Sequence, residues 1–273
     1  MLADILRELK YQTDAFLNPL GPLDVAFLTI PALPAIYLED LVDAADHVGI
    51  QVITLPWYLY RSGDQAQWPV SEINTAMAGN DIGLPDSDLQ QADIPFGGNG
   101  EGNTSNTLDP RTLSDNVLSV LFTETALTAF VGPFSSATHF YWANGVANFS
   151  LGLSQCTNHH SEPRARCTAE LPYWYQVRLA LREALSSYAS RGNNLDRVIS
   201  YGESAHNEIF DRVLREEVAA AQSNHDPDQQ PEFYSGDPVF ANARGAAAFA
   251  KLCTKLPRKG DCFPDLGPKR EGW

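Results

Sequence analysis

Between Asn116 and Val131 the chain reads NVLSVLFTETALTAFV. Val117, Leu118, Val120, Leu121 and Phe122 precede a short polar stretch, and Leu127, Phe130 and Val131 follow it. Two apolar runs of this length, rich in β-branched and aromatic residues, predict two β-strands joined by a tight turn. Such a pair commits the chain to a sheet at its core. The turn, Thr123-Glu124-Thr125, contains no glycine, asparagine or proline. Tight two-residue hairpins favour Gly, Asn or Asp because they need φ > 0. Whether something has been removed from the tip depends on what lies on either side.

Composition limits what surrounds it. The chain has 273 residues, 44% of them hydrophobic and 10% aromatic, enough for one large domain or two modest ones. Its 34 acidic and 19 basic residues leave a net charge of −15. That charge repels phosphate backbones and anionic lipid, so neither nucleic acid nor a membrane surface is the expected partner. The longest apolar run, VAFLTIPALPAIYL, is too short to span a bilayer and carries Pro31 and Pro34. Leu2, Ile5, Leu6 and Leu9 are spaced as the stripe of an amphipathic helix, and no basic-then-apolar leader pattern is present. A chain opening in mid-helix raises the expectation that a segment once preceded Met1. The four cysteines, Cys156, Cys167, Cys253 and Cys262, allow three connectivities. With the sequons Asn103-Thr104-Ser105 and Asn148-Phe149-Ser150 they hint at a secretory history, and the compartment stays open.

Along the chain, Asp24–Pro31 reads as a buried strand, about Ile36 to His47 as a helix stopped at Gly49, and Ile50–Leu55 as a second strand. Strand, helix and strand at this length predict a βαβ unit. Residues 56–70 form an irregular insert with Trp57, Tyr58, Tyr60 and Trp68, and a short helix follows near Val70 to Ala78. The stretch from Gly79 to about Ser114 has little to bury and reads as a linker or mobile loop. After the hairpin, SATHFYWANGVANFSLG predicts a strand pair turning at Asn144-Gly145. Leu171 to Arg191 reads as a long helix, RVISYG as a strand, NEIFDRVLREEVAAAQ as a helix, then a polar loop and a last alanine-rich helix in DPVFANARGAAAFAKL. The expected divisions are 1–78, 79–112, 113–252 and an irregular tail, 253–273.

Several constellations carry chemistry. Gly202-Glu203-Ser204-Ala205-His206, after a strand and before a helix, resembles the nucleophile elbow G-x-S-x-G of α/β-hydrolases. It departs at His206, where the second glycine belongs. On that alternative Ser204 is the nucleophile, with His206 or His225 as base. Cys156, His159, His160 and Cys167 are all zinc-ligand types but lack a C-x-x-C or H-x-x-x-H clip, so a local disulfide or two thiols is the better reading. Asp81-Ile82-Gly83 follows TAMAG, which is no strand, and reads as a plain loop. No P-loop, dinucleotide-binding or H-E-x-x-H motif occurs.

Taken in order, the pieces resemble the actin-like ATPase domain of the seventy-kilodalton heat-shock chaperones. ILRELKYQTDAFLNPLGPLDVAFLTIPAL is similar to the family's helix and strand ending in T-V-P-A, and LEDLVDAADHVGIQVI to its A-x-x-A-G-L-x-V run. VISYGESAHNEIF is similar to the adenosine-side V-x-L-x-G-G-S-x-x-x-P. DPVFANARGAAAFA follows D-P-D-E-A-V-A-x-G-A-A at Asp237, Pro238, Ala241, Ala243, Gly245, Ala246 and Ala247. The resemblance covers roughly residues 2–55 and 113–252. It implies an incomplete actin-like ATPase (ribonuclease H-like) α/β fold, with mixed sheets and flanking helices.

In that family the hairpin is the second phosphate loop, D-L-G-G-G-T between two strands. Here Leu121 stands for the aspartate, Thr123, Glu124 and Thr125 for the glycines, and Ala126 for the threonine. Side chains block the approach of backbone N–H groups to phosphate. Glu124 adds a repulsion on the order of a few kcal/mol at intermediate dielectric. Leu121 cannot help to hold magnesium. The family's first phosphate loop and catalytic lysine have no equivalent from Met1 onward. The resemblance thus implies no catalytic residues, no metal site and no ATP hydrolysis. Gly202, Glu203, Ser204 and Gly245 remain as residual adenosine-side positions for ATP or ADP binding without turnover. The expected role is that of a protein-binding or structural module, with a protein partner or self-association; the aromatic insert is either its contact surface or a cap over core that the shortened lobe leaves exposed.

Overall fold

The computed structural model describes residues 2–18, 21–30, 37–53, 70–83, 115–136, 139–140, 144–158, 167–168, 172–189, 192–223 and 230–255. The aromatic insert, most of the expected linker, His159, His160, His225, Cys262 and most of the tail lie outside them. The chain divides into two units, one of Met1–Asn80 with Phe240–Trp273 and one of Asp81–Val239.

In the first unit, α1 (Leu2–Leu17) precedes β1 (Val25–Phe27), α2 (Leu38–His47) and β2 (Gln51–Ile53). β1 and β2 pair in parallel, Val25 opposite Gln51 and Phe27 opposite Ile53, which makes the expected βαβ unit. Asp40 accepts the Tyr37 N–H at the start of α2 (3.1 Å). At its end the Gly49 N–H donates to Asp46 O and the Ile50 N–H to Ala45 O, with Gly49 at φ +72°. This is a Schellman cap, as the glycine implied. Leu6, Ala44, Ala45, Ile50 and Val52 form the core of this part.

α3 (Glu72–Gly79) starts where the Ser71 hydroxyl accepts the Asn74 N–H. It packs along α7 (Ala241–Lys255), the helix that closes the described chain. The expected 113–252 segment includes α7, which belongs to the first unit in the structure. Phe249 of α7 is fully buried, its ring stacked on Phe27 of β1 at 5.6 Å.

The second unit is built on the hairpin. β3 (Asp115–Phe122) and β4 (Leu127–Ser136) pair antiparallel from Asp115 opposite Phe134 to Phe122 opposite Leu127. β7 (Arg197–Tyr201) lies parallel to β3 on its other side, and β8 (Glu232–Tyr234) lies parallel to β7. β5 (His139–Phe140) and β6 (Asn144–Asn148) both pair with the far edge of β4. The result is a six-stranded mixed sheet with flanking helices, an α/β arrangement.

One face, carrying Leu118, Val120, Phe122, Leu127, Ala129, Val131 and Val198, is covered by α5 (Pro172–Ala189) and α6 (Glu208–Ala221). Trp174, Val177, Leu181 and Leu185 come from α5, and Phe210, Val213, Leu214 and Val218 from α6. Pro172 suits the first helical position of α5, where no N–H is needed. Asn207 caps α6, its side chain accepting the Ile209 and Phe210 N–H groups. The opposite face is buried too at Val117, Ser119, Ile199 and Tyr201. That explains why β3 and β7 read as continuous apolar runs rather than alternating ones.

Two expectations change. Asn144-Gly145 is not a turn: both residues open β6. Gly145 lies opposite Phe130, whose ring would be 2.1 Å from any Cβ there. The aromatic ring occupies the space of a side chain, so glycine fits within the strand. The polar stretch after α6 also holds β8, whose three residues are too few to show a period.

Candidate functional site

Of the residues that the sequence singles out, Gly202, Glu203 and Ser204 meet the hairpin loop where β3 ends. Phe122, the last of β3, is anchored by a stacked contact with Phe210 of α6 (4.2 Å) and lies near Trp174 of α5. This fixes the position from which the hairpin loop springs. The loop has four residues, Thr123 to Ala126, instead of a tight turn of two or three. The Thr123 N–H donates to Ala126 O (2.9 Å), and the Thr123 hydroxyl accepts the N–H groups of Thr125 and Ala126. None of these residues has a positive φ. A four-residue loop closed by a threonine hydroxyl has no need of glycine. The bulky tip is a stable turn in its own right.

Neighbours take further polar groups of the loop. The Glu124 N–H donates to the Glu203 carboxylate (2.9 Å). The Glu124 carboxylate accepts the Ser204 hydroxyl (3.1 Å), and the Ser204 N–H donates to Phe122 O (3.1 Å). Glu124 O accepts from both the N–H and the hydroxyl of Ser154. The Leu153 N–H donates to Thr123 O. Leu153 and Ser154 open α4 (Leu153–Asn158), just after Gly152, where a Cβ would lie 2.3 Å from the Glu124 and Thr125 backbone. The segment before α4 is therefore pressed against the hairpin tip.

Gly202 approaches from the other side. It has φ +103°, and a Cβ would meet Phe122 O at 2.4 Å. Its N–H donates to Pro238 O (3.0 Å). Glycine is required here by the backbone's left-handed conformation and by its closeness to β3. The Gly202 turn thereby delivers Glu203 and Ser204 to the tip. Glu203 is exposed, whereas Ser204 is 3% exposed.

Ser204 follows a strand and a glycine but lacks the exposure and strain of an elbow nucleophile. An elbow serine sits strained and exposed on a direct strand-to-helix turn. Ser204 is buried, has a negative φ, lies four residues before α6, and spends its hydroxyl on Glu124. His206 is exposed, and His225 lies outside the described residues.

Gly245 belongs to the first unit, with a packing role of its own. A Cβ there would sit 1.8 Å from Thr75 O, and one on Gly79 would sit 1.9 Å from Ala241 O. The two glycines let α3 and α7 cross backbone to backbone. Arg244 Nε adds a hydrogen bond to Gly79 O (3.2 Å).

The zinc alternative is removed by chemistry: Cys156 and Cys167 form a disulfide, with Cα atoms 5.6 Å apart. A disulfide sulfur is no thiolate ligand. Among the described residues no group of three His, Cys, Asp or Glu could hold a metal ion, and no helix is long and apolar enough to cross a membrane. Beside the site, burial above all, and then the negative charge of Glu124, pushes the Tyr173 hydroxyl well above its ordinary pKa. That hydroxyl donates to Leu151 O (2.9 Å).

Sequence reasoning singled out the hairpin loop and Gly202, Glu203 and Ser204, but neither their pairing nor Gly152, Leu153 and Ser154, which carry no motif. Glu124 and Glu203 are 79 residues apart, and no local pattern links them. No family model matches the chain, and no curated protein matches it.

Proposed function

We propose that this chain is a non-catalytic, chaperone-related module of the actin-like ATPase fold, with a protein-binding or structural role. One observation carries the reading: the Glu203 carboxylate holds the Glu124 N–H at the hairpin tip. In the resemblance, that stretch of backbone is where phosphate would be cradled. Here an internal anion takes the donor, and the Glu124 carboxylate stands beside it.

A triphosphate would have to displace Glu203 and approach two carboxylates, with repulsion on the order of a few kcal/mol at intermediate dielectric. The mixed sheet led by this hairpin, with β3 between β4 and β7, is compatible with the second lobe that the resemblance implies. Gly202, Glu203 and Ser204 serve the hairpin on this reading, and Gly245 serves the helix crossing. None is left for adenosine.

The experiment is thermal unfolding of the full chain with and without Mg·ATP. The expected result is an unchanged melting temperature. A saturable rise of several degrees with nucleotide would overturn the proposal, since a ligand that binds only the folded state must stabilise it.

A further inference from the structure

We infer that Asn148 carries an N-linked glycan and that the chain matures in an oxidising, secretory compartment. The sequon Asn148-Phe149-Ser150 sits where β6 ends. The chain turns at Phe149 and Ser150, both exposed, Phe149 by 56%. Asn148 is partly exposed, and the described pairing of β6 is with β4 alone. The Asn148 Oδ1 accepts the Ser150 N–H (2.9 Å), while its Nδ2 makes no hydrogen bond among the described residues. The amide nitrogen that must be modified thus has no partner among the described residues, at a strand end beside an exposed turn, in a sequon without proline.

The cysteines support this independently. Cys156 is bonded to Cys167, Cys253 is also in a disulfide, and no described cysteine is free. A chain whose thiols are paired in this way belongs where disulfides persist. That is the environment in which sequons are glycosylated.

In the transfer, Asn148 Nδ2 forms a bond to the anomeric carbon of a lipid-diphosphate-linked oligosaccharide. The anomeric C–O bond breaks, the lipid diphosphate leaves with the electron pair, and the amide proton passes to a base of the transferring enzyme. Asn148 pairs with Leu127, the first residue of β4 after the loop, so the glycan stands beside the hairpin tip.

The test is peptide mass spectrometry of the native chain isolated from its source, before and after peptide N-glycosidase treatment. The expected result is that residue 148 is recovered as aspartate only after the enzyme. Ser150→Ala should abolish that conversion and Ser150→Thr should restore it. An unmodified Asn148 in the native chain would overturn the inference, as would free thiols at Cys156 and Cys167.

Discussion

At the scale of single residues, the hairpin tip brings together side chains far apart in the sequence. Thr123, Glu124 and Thr125 show in the sequence that the tip carries no glycine. They do not show what closes the loop. The Thr123 hydroxyl closes the loop from within, and Glu203 closes it from 79 residues away. Local chemistry is readable from neighbours, whereas a side chain delivered by a distant turn becomes visible only when the sheet has formed. Replacing Glu203 with alanine should speed hydrogen exchange at the Glu124 amide and lower stability by about 1 kcal/mol, the worth of one hydrogen bond. Amide-resolved NMR exchange measures the first effect and urea unfolding the second. An unchanged exchange rate would show that Glu203 does not hold that donor.

At the scale of elements, long patterned segments were legible. α2 with its Gly49 cap, α5, α6 and the β3–β4 pair stand close to where apolar period and capping residues put them. What escaped has a physical cause in each case. β8 has three residues, and α4 has six, both too short for periodicity to register. Asn144-Gly145 carries the composition of a turn, but the Phe130 ring makes room for it within a strand. The ARGAA stretch of α7 read as part of a nucleotide-side motif, and its glycine also lets two backbones cross. Gly245→Ala places a methyl group 1.8 Å from Thr75 O. Overpacking of this kind should cost about 2 kcal/mol, seen as a lower denaturant midpoint with unchanged slope. A variant as stable as the parent would remove the packing explanation for this glycine.

At the scale of the whole molecule, the chain resolves into two units, each with its own core, and the disulfide between Cys156 and Cys167 lies within the second. That second core holds two tyrosines that resist ionisation. Burial, and then the nearby Asp196 carboxylate, pushes the Tyr188 hydroxyl up to about 12, and Tyr173 shifts in the same direction. The folded state thus holds these protons more tightly than the unfolded chain, where tyrosine titrates near ~10. Their contribution to stability is complete below ~pH 10 and is lost as the pH rises towards 12. Denaturant unfolding across that range should show a steady decline, shallower in Tyr188→Phe. A flat profile would contradict the burial of both groups.

The decisive feature is which group occupies the backbone donor of Glu124. A crystal of the full chain grown with Mg·ATP addresses that directly. The predicted map has the Glu203 carboxylate on the Glu124 N–H and no nucleotide at residues 123–126. Triphosphate density against that loop, with Glu203 swung away, would contradict it.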